Sequence, residues 1–115
     1  MIKLKDTKTA LEKFEEAASK HAEATEQGDY KTANRCYAII VKAIAFLKEQ
    51  NEMHQLLKSL NHNSVGVRIW AATYLLAVEE REGIRVLEQI AKGTGICTFT
   101  AKTTLNEWKK GNLKL

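Results

Sequence analysis

The chain has 115 residues, 44% hydrophobic and 28% charged, with a formal net charge of +4 at pH 7. That length is one domain, residues 1–115, whose expected surface of roughly 6,300 Å² folded against roughly 18,900 Å² unfolded supports a core without staples. Two cysteines, Cys36 and Cys97, are too few for a disulfide framework; no run reaches the ~20 apolar residues of a membrane span, and the opening residues lack a leader's apolar stretch, so the expected location is the cytoplasm.

The chain contains no proline. Proline breaks helix interiors, so its absence predicts a nearly all-helical chain. The six glycines read as punctuation near helix ends. The first predicted helix runs from about Thr7 to Gln27, capped by Asp6 or Thr7 and closed by Gly28. Leu11, Phe14, Ala18, Ala22 and Thr25 fall on one narrow stripe, with Lys13, Glu16, Lys20 and Glu23 opposite. This helix is expected on the outside.

The second starts after Asp29 and runs to about Gln50. Ala33, Cys36, Tyr37, Ile40, Ala43, Ile44 and Leu47 form its predicted inner face, and Ile39, Val41 and Phe46 widen the apolar arc beyond half the circumference. So apolar a helix is expected to pack on more than one side. The short "QGDY" link makes the two helices antiparallel neighbours. Asn34, at the rim of the arc, is expected to make a polar contact to the first helix. Asn51 can take the left-handed conformation that ends the second helix.

A short helix from about Glu52 to Leu60 comes next, then the turn "LNHNS" and a helix from about Val65 to Val78 capped by Ser64. Val67, Ala71, Leu75 and Val78 make its central stripe, flanked by Arg68 and Tyr74, with Ile69 and Leu76 on the far side. That predicts a helix sandwiched between neighbours. A shift of 30 residues aligns Leu60 with Ile90, Ser64 with Thr94, Val67 with Cys97, Ala71 with Ala101 and Leu75 with Leu105. It predicts a second helix pair, about Gly83 to Ala91 and about Gly95 to Lys110. The β-branched run "ICTFT" would suit a strand, but the register places it at a helix start.

These residues resemble a HEAT-like repeat, whose signature is a leucine ending the first helix, an acidic turn, then Val-Arg, two alanines and a leucine. Here they are Leu60, the turn 61–66, Val67, Arg68, Ala71, Ala72 and Leu75. Ser64 stands where that family usually has Asp. The whole chain is similar to a group of small bacterial HEAT-like domains in which "QGDYKTAN" and the Val-Arg helix recur together. The resemblance implies an all-α fold of about six helices, two long antiparallel ones followed by two short HEAT-like pairs, and is nearly silent on activity.

Arg68 is read as structural: its stem covers Ala72 and Leu75 while the guanidinium reaches carbonyls or a carboxylate of the adjoining helix. A buried pair there would make Arg68→Ala cost about 3 kcal/mol or more. The glycines match no phosphate-binding spacing. His21, His54 and His62 form no HxxxH or HExxH motif, so no metal or other cofactor is expected. The adjacent carboxylates Glu15 and Glu16, and Glu79 and Glu80, point apart along a helix. Cys97, near a helix start, is read as a packed thiol. No enzyme is expected.

The expected function is a non-catalytic protein-binding module whose partner is another protein, through a surface combining Arg35, Ile39, Phe46 and Trp70. One version is an antidote that neutralises a bacterial toxin. An alternative of another class is backbone binding to nucleic acid through the C-terminal edge, where Lys92, Lys102, Lys109, Lys110 and Lys114 face Glu107 alone. Five lysines without an arginine make base reading unlikely there. The sequence does not fix the oligomeric state.

Overall fold

The structure, a computed structural model, describes residues 4–115. It is all-helical: α1 (Thr7–Gln27), α2 (Tyr30–Glu49), a 3-10 segment (Met53–Asn61), α3 (Val65–Leu75), α4 (Glu80–Ala91) and α5 (Ile96–Lys109). No strand occurs among the described residues.

Local chemistry explains most of the boundaries. Asp6 Oδ1 accepts from the Thr9 amide at 2.7 Å, and Asp29 Oδ1 from the Thr32 amide at 3.2 Å. Each satisfies an amide that the first helical turn leaves orphaned. Gly28 closes α1 at φ 72°, and Asn51 adopts φ 57° just past α2. Ser64 Oγ accepts from the Val67 amide at 3.4 Å to start α3.

Three boundaries differ from expectation. The stretch after α2 winds as a 3-10 rather than an α-helix. Helix α3 stops at Leu75 and passes through a turn, which leaves Val78 49% exposed instead of on the core stripe. Helix α4 starts at Glu80 rather than at about Gly83, whereas α5 follows Gly95 as expected and the Ile96 to Thr100 run is helical.

The largest departure concerns which long helix lies inside. Helix α1 was expected outside and α2 sandwiched. In the structure α1 packs along α2 on one side and against α3 on another, and it also meets the 3-10 segment. Small side chains explain this. Ala10, Ala17, Ala18 and Ala24 are buried on α1 around Phe14. A Cβ on Gly66 would sit 2.6 Å from Ala22 Cβ and 2.9 Å from the Ala18 carbonyl oxygen. Helix α3 therefore lies backbone-close on α1, a distance only glycine permits. Gly83 does the same where α4 meets α3: a Cβ there would come within 2.7 Å of the Ala72 carbonyl oxygen. Both glycines lie inside helices, as contact points rather than punctuation.

Helix α2 buries Ala33, Cys36, Ile40, Ala43, Ile44 and Leu47. Tyr37, read as an inner residue, is 50% exposed, and Val41 is 41% exposed. One core runs from Phe14 through Leu47, Leu56, Val67 and Leu75 to Leu87 and Leu105. The radius of gyration is 13.3 Å, the value expected for a compact chain of this length. The exposed surface is 7164 Å², above the roughly 6,300 Å² of the scaling law.

Candidate functional site

Trp70 occupies the face of α3 turned toward α1 and α2. Its ring meets His21 of α1 edge to face, centroids 5.3 Å apart at 88°. It meets Tyr37 of α2 at 6.0 Å and 46°, and stacks on Tyr74, one turn further along α3, at 6.1 Å and 19°. These separations suit aromatic pairs. Trp70, His21 and Tyr74 are half-buried, so the cluster is packed yet reachable. Burial holds the His21 pKa below its ordinary value, which favours the neutral imidazole. Burial, with the Tyr37 phenol as the lesser cause, pushes the Tyr74 hydroxyl up.

On its other side Trp70 forms a wall of an apolar cleft of about 180 Å³. His21, Ala22 and Thr25 of α1 face Cys97, Thr100 and Thr104 of α5 across a floor of Gly66, Ile69 and Thr73. The Thr25 hydroxyl donates to the His21 carbonyl at 2.8 Å, and that of Thr73 to the Ile69 carbonyl at 2.7 Å. Their methyl groups are left to line the cleft. Small-molecule pockets run from roughly 300 to 1,000 Å³, so this one fits a single large apolar side chain.

Glu26 and Cys97 join it to a shallower polar cleft with Arg68, Gln89, Thr94 and Thr98. Burial first, then the Glu26 carboxylate, pushes the Cys97 thiol up. A protonated thiol is a poor nucleophile. The described residues hold no group of three or more His, Cys, Asp or Glu placed to bind a metal.

The expected surface of Arg35, Ile39, Phe46 and Trp70 does not come together as one patch. Arg35, Ile39 and Phe46 share one stripe of α2, whereas Trp70 meets Tyr37 on the opposite flank of that helix's buried face. Ile39 and Phe46 are half-buried against the core. Arg35 is exposed and donates to the Thr32 hydroxyl oxygen at 3.2 Å. Asn34 does not make its expected contact to α1: it is exposed on the outward side of α2, because it lies beyond the edge of the buried arc.

Arg68 does reach carbonyls, but in the turn before its own helix. Its Nη1 donates to the His62 oxygen at 2.7 Å and the Asn63 oxygen at 3.1 Å. His62 Nδ1 in turn accepts from the Ser64 amide at 3.0 Å. The arginine fastens the turn that positions Gly66 and Trp70. Tyr37, Tyr74 and His21 were missed as surface residues. The signal for Tyr74 was its four-residue spacing from Trp70, and for Tyr37 its seven- and four-residue spacings from Tyr30 and Val41.

No family model, curated protein or solved structure matches the chain.

Proposed function

We propose that the chain is a non-catalytic protein-binding module that engages its partner through the surface centred on Trp70. The observation that carries this reading is the mutually packed, half-exposed cluster of His21, Tyr37, Trp70 and Tyr74 beside a cleft sized for one apolar side chain. Tryptophan and tyrosine dominate the energetics of protein interfaces, above all beside a pocket that accepts an anchor.

Supporting the HEAT-like reading of the helix pairs, Leu60 and Ile90, Ala71 and Ala101, and Leu75 and Leu105 are buried at equivalent places in both units. Stacked helix pairs of that type present extended binding surfaces. No helix among the described residues is long and apolar enough to cross a membrane. The free thiols of Cys36 and Cys97 suit a reducing compartment, which supports a proposed cytoplasmic location. The antidote role is a special case of the same reading, favoured if the coding sequence lies beside a toxin's. The nucleic-acid reading has only charge behind it, and the half-buried Trp108 indole donates to the Glu80 carboxylate at 2.7 Å, which sets an anion beside that basic edge.

The test is quantitative capture from host extract with the parent chain, with Trp70→Ala and with Thr104→Lys, which fills the cleft and leaves the indole in place. The reading expects a protein recovered by the parent and lost with both variants, each shown folded by circular dichroism. Identical captures by all three would refute it.

A further inference from the structure

Helix α2 carries more apolar surface than the fold covers. Tyr30, Tyr37 and Val41 lie on one outward stripe, at spacings of seven and four residues, and are 72%, 50% and 41% exposed. Beside them runs a stripe of exposed short side chains, Asn34, Ala38 and Ala45. Beyond that lies a third stripe, the exposed cations Lys31, Arg35 and Lys42. Lys48, also exposed, closes the aromatic stripe at its C-terminal end. Glu49 is the one carboxylate within the helix. Asp29, at its N-terminus, is committed to Thr32, whose hydroxyl donates to Oδ2 at 2.7 Å.

Side by side, the three stripes set a row of short side chains, the trough, between an aromatic bank and a basic bank. Rows of side chains on one helix receive rows of another in this way. The 20 residues of α2 give the trough a length of about 30 Å. Through Tyr37 it is continuous with the Trp70 cluster.

We infer that this face of α2 docks an acidic amphipathic helix of a partner protein, an inference that rests on the protein-binding reading above. The occupant's chemistry follows from the trough. An apolar seam on the partner helix meets Tyr37, Val41, Ala38 and Ala45, and carboxylates flanking that seam meet Lys31, Arg35, Lys42 and Lys48. A polyanion without apolar groups would use the cations and leave the alanines and Val41 facing water. The trough therefore favours a protein helix over a nucleic-acid backbone.

The experiment is selection of displayed random peptides about 20 residues long, long enough to span the helix, against the full chain. Winners are resynthesised and titrated against the parent chain, Lys31→Glu/Lys42→Glu, Tyr37→Ala and Trp70→Ala, with helical content checked by circular dichroism. The inference expects winners with net negative charge and apolar residues at helical spacing. They bind the charge-reversed chain about tenfold or more weaker, and weaken as salt is raised. Neutral or basic winners, or acidic ones that bind the charge-reversed chain as well as the parent, overturn it. So does binding of a single-stranded oligonucleotide or of phosphatidylserine vesicles in place of acidic peptides. Winners insensitive to the α2 substitutions but lost with Trp70→Ala sink this inference and leave the Trp70 surface standing. Recovery of no peptide at all counts against both.

Discussion

Gly66 sets how close α3 can lie to α1, because the atoms a Cβ would meet are Ala22 Cβ and the Ala18 carbonyl oxygen, neither of which can rotate away. Alanine is the better helix former by about 1 kcal/mol, yet forced overpacking costs about 1–3 kcal/mol. Gly66→Ala is therefore expected to destabilise the fold on balance, read as a lower urea midpoint at unchanged slope, and Ala22→Gly on that background should restore part of the loss. Arg68 is partnered by carbonyls of a half-exposed turn rather than a buried carboxylate. The expected cost of Arg68→Ala falls accordingly from about 3 kcal/mol to about 1–2 kcal/mol, measurable in the same titration. His21 gives stability a pH dependence whose sign is fixed. Its folded pKa lies below the ordinary 6.5, so the unfolded chain takes up the proton first as pH falls. Its contribution is complete above that value and erodes below it. His21→Phe keeps a ring against Trp70 and removes the proton, so the urea midpoint of that variant should change less between pH 7.5 and 5.5 than the parent's.

Among the elements, the 3-10 segment is tied to α1 by one polar contact. The Ser59 hydroxyl, 0% exposed, donates to Glu15 Oε2 at 2.8 Å. Removing it strands a half-buried carboxylate, and Ser59→Ala is expected to cost about 1–2 kcal/mol by chemical denaturation. A helix boundary so poorly marked in sequence is set instead by the backbone at Asn51. "KEQNEMHQ" holds no Gly or Pro, and only the αL conformation of Asn51 turns the chain out of α2. Helix α2 illustrates the converse. Its start was legible from Asp29 and the apolar spacing, but its breadth of apolar surface was read as coverage by neighbours. Coverage is a tertiary fact, and on the Tyr30–Tyr37–Val41 stripe it is partial: Tyr37 meets Trp70 yet stays 50% exposed.

For the molecule as a whole, the placement of α1 between α2 and α3 makes the first two helices part of the core rather than a removable cap. Phe14 is buried at 0% exposure, and so is Val67 on α3. A fragment of residues 51–115 loses α1 from beneath Gly66, Val67 and Trp70. It is expected to be molten or insoluble, with weak near-ultraviolet dichroism and no cooperative thermal transition; a sharp transition would show that the helix pairs stand alone. Between the parts so joined, α1 and α5 face each other across the α3 floor and leave the cleft beside Trp70. No single helix contains that cleft.

By itself the sequence determined the helical class, five of the six helix types and the caps at Asp29 and Ser64, because these follow from short-range rules of spacing, φ preference and side-chain hydrogen bonding. The partners of Arg68 lie five and six positions away in the turn before its own helix, not on the adjoining helix where the sequence reading put them. Only the tertiary structure decided which long helix is inside and that Tyr37 and Trp70 meet while Ile39 and Phe46 lie on the other flank. Periodicity tells which side chains share a stripe. It does not tell which stripe another helix covers, because that depends on how closely backbones approach, here through Gly66 on Ala18 and Ala22.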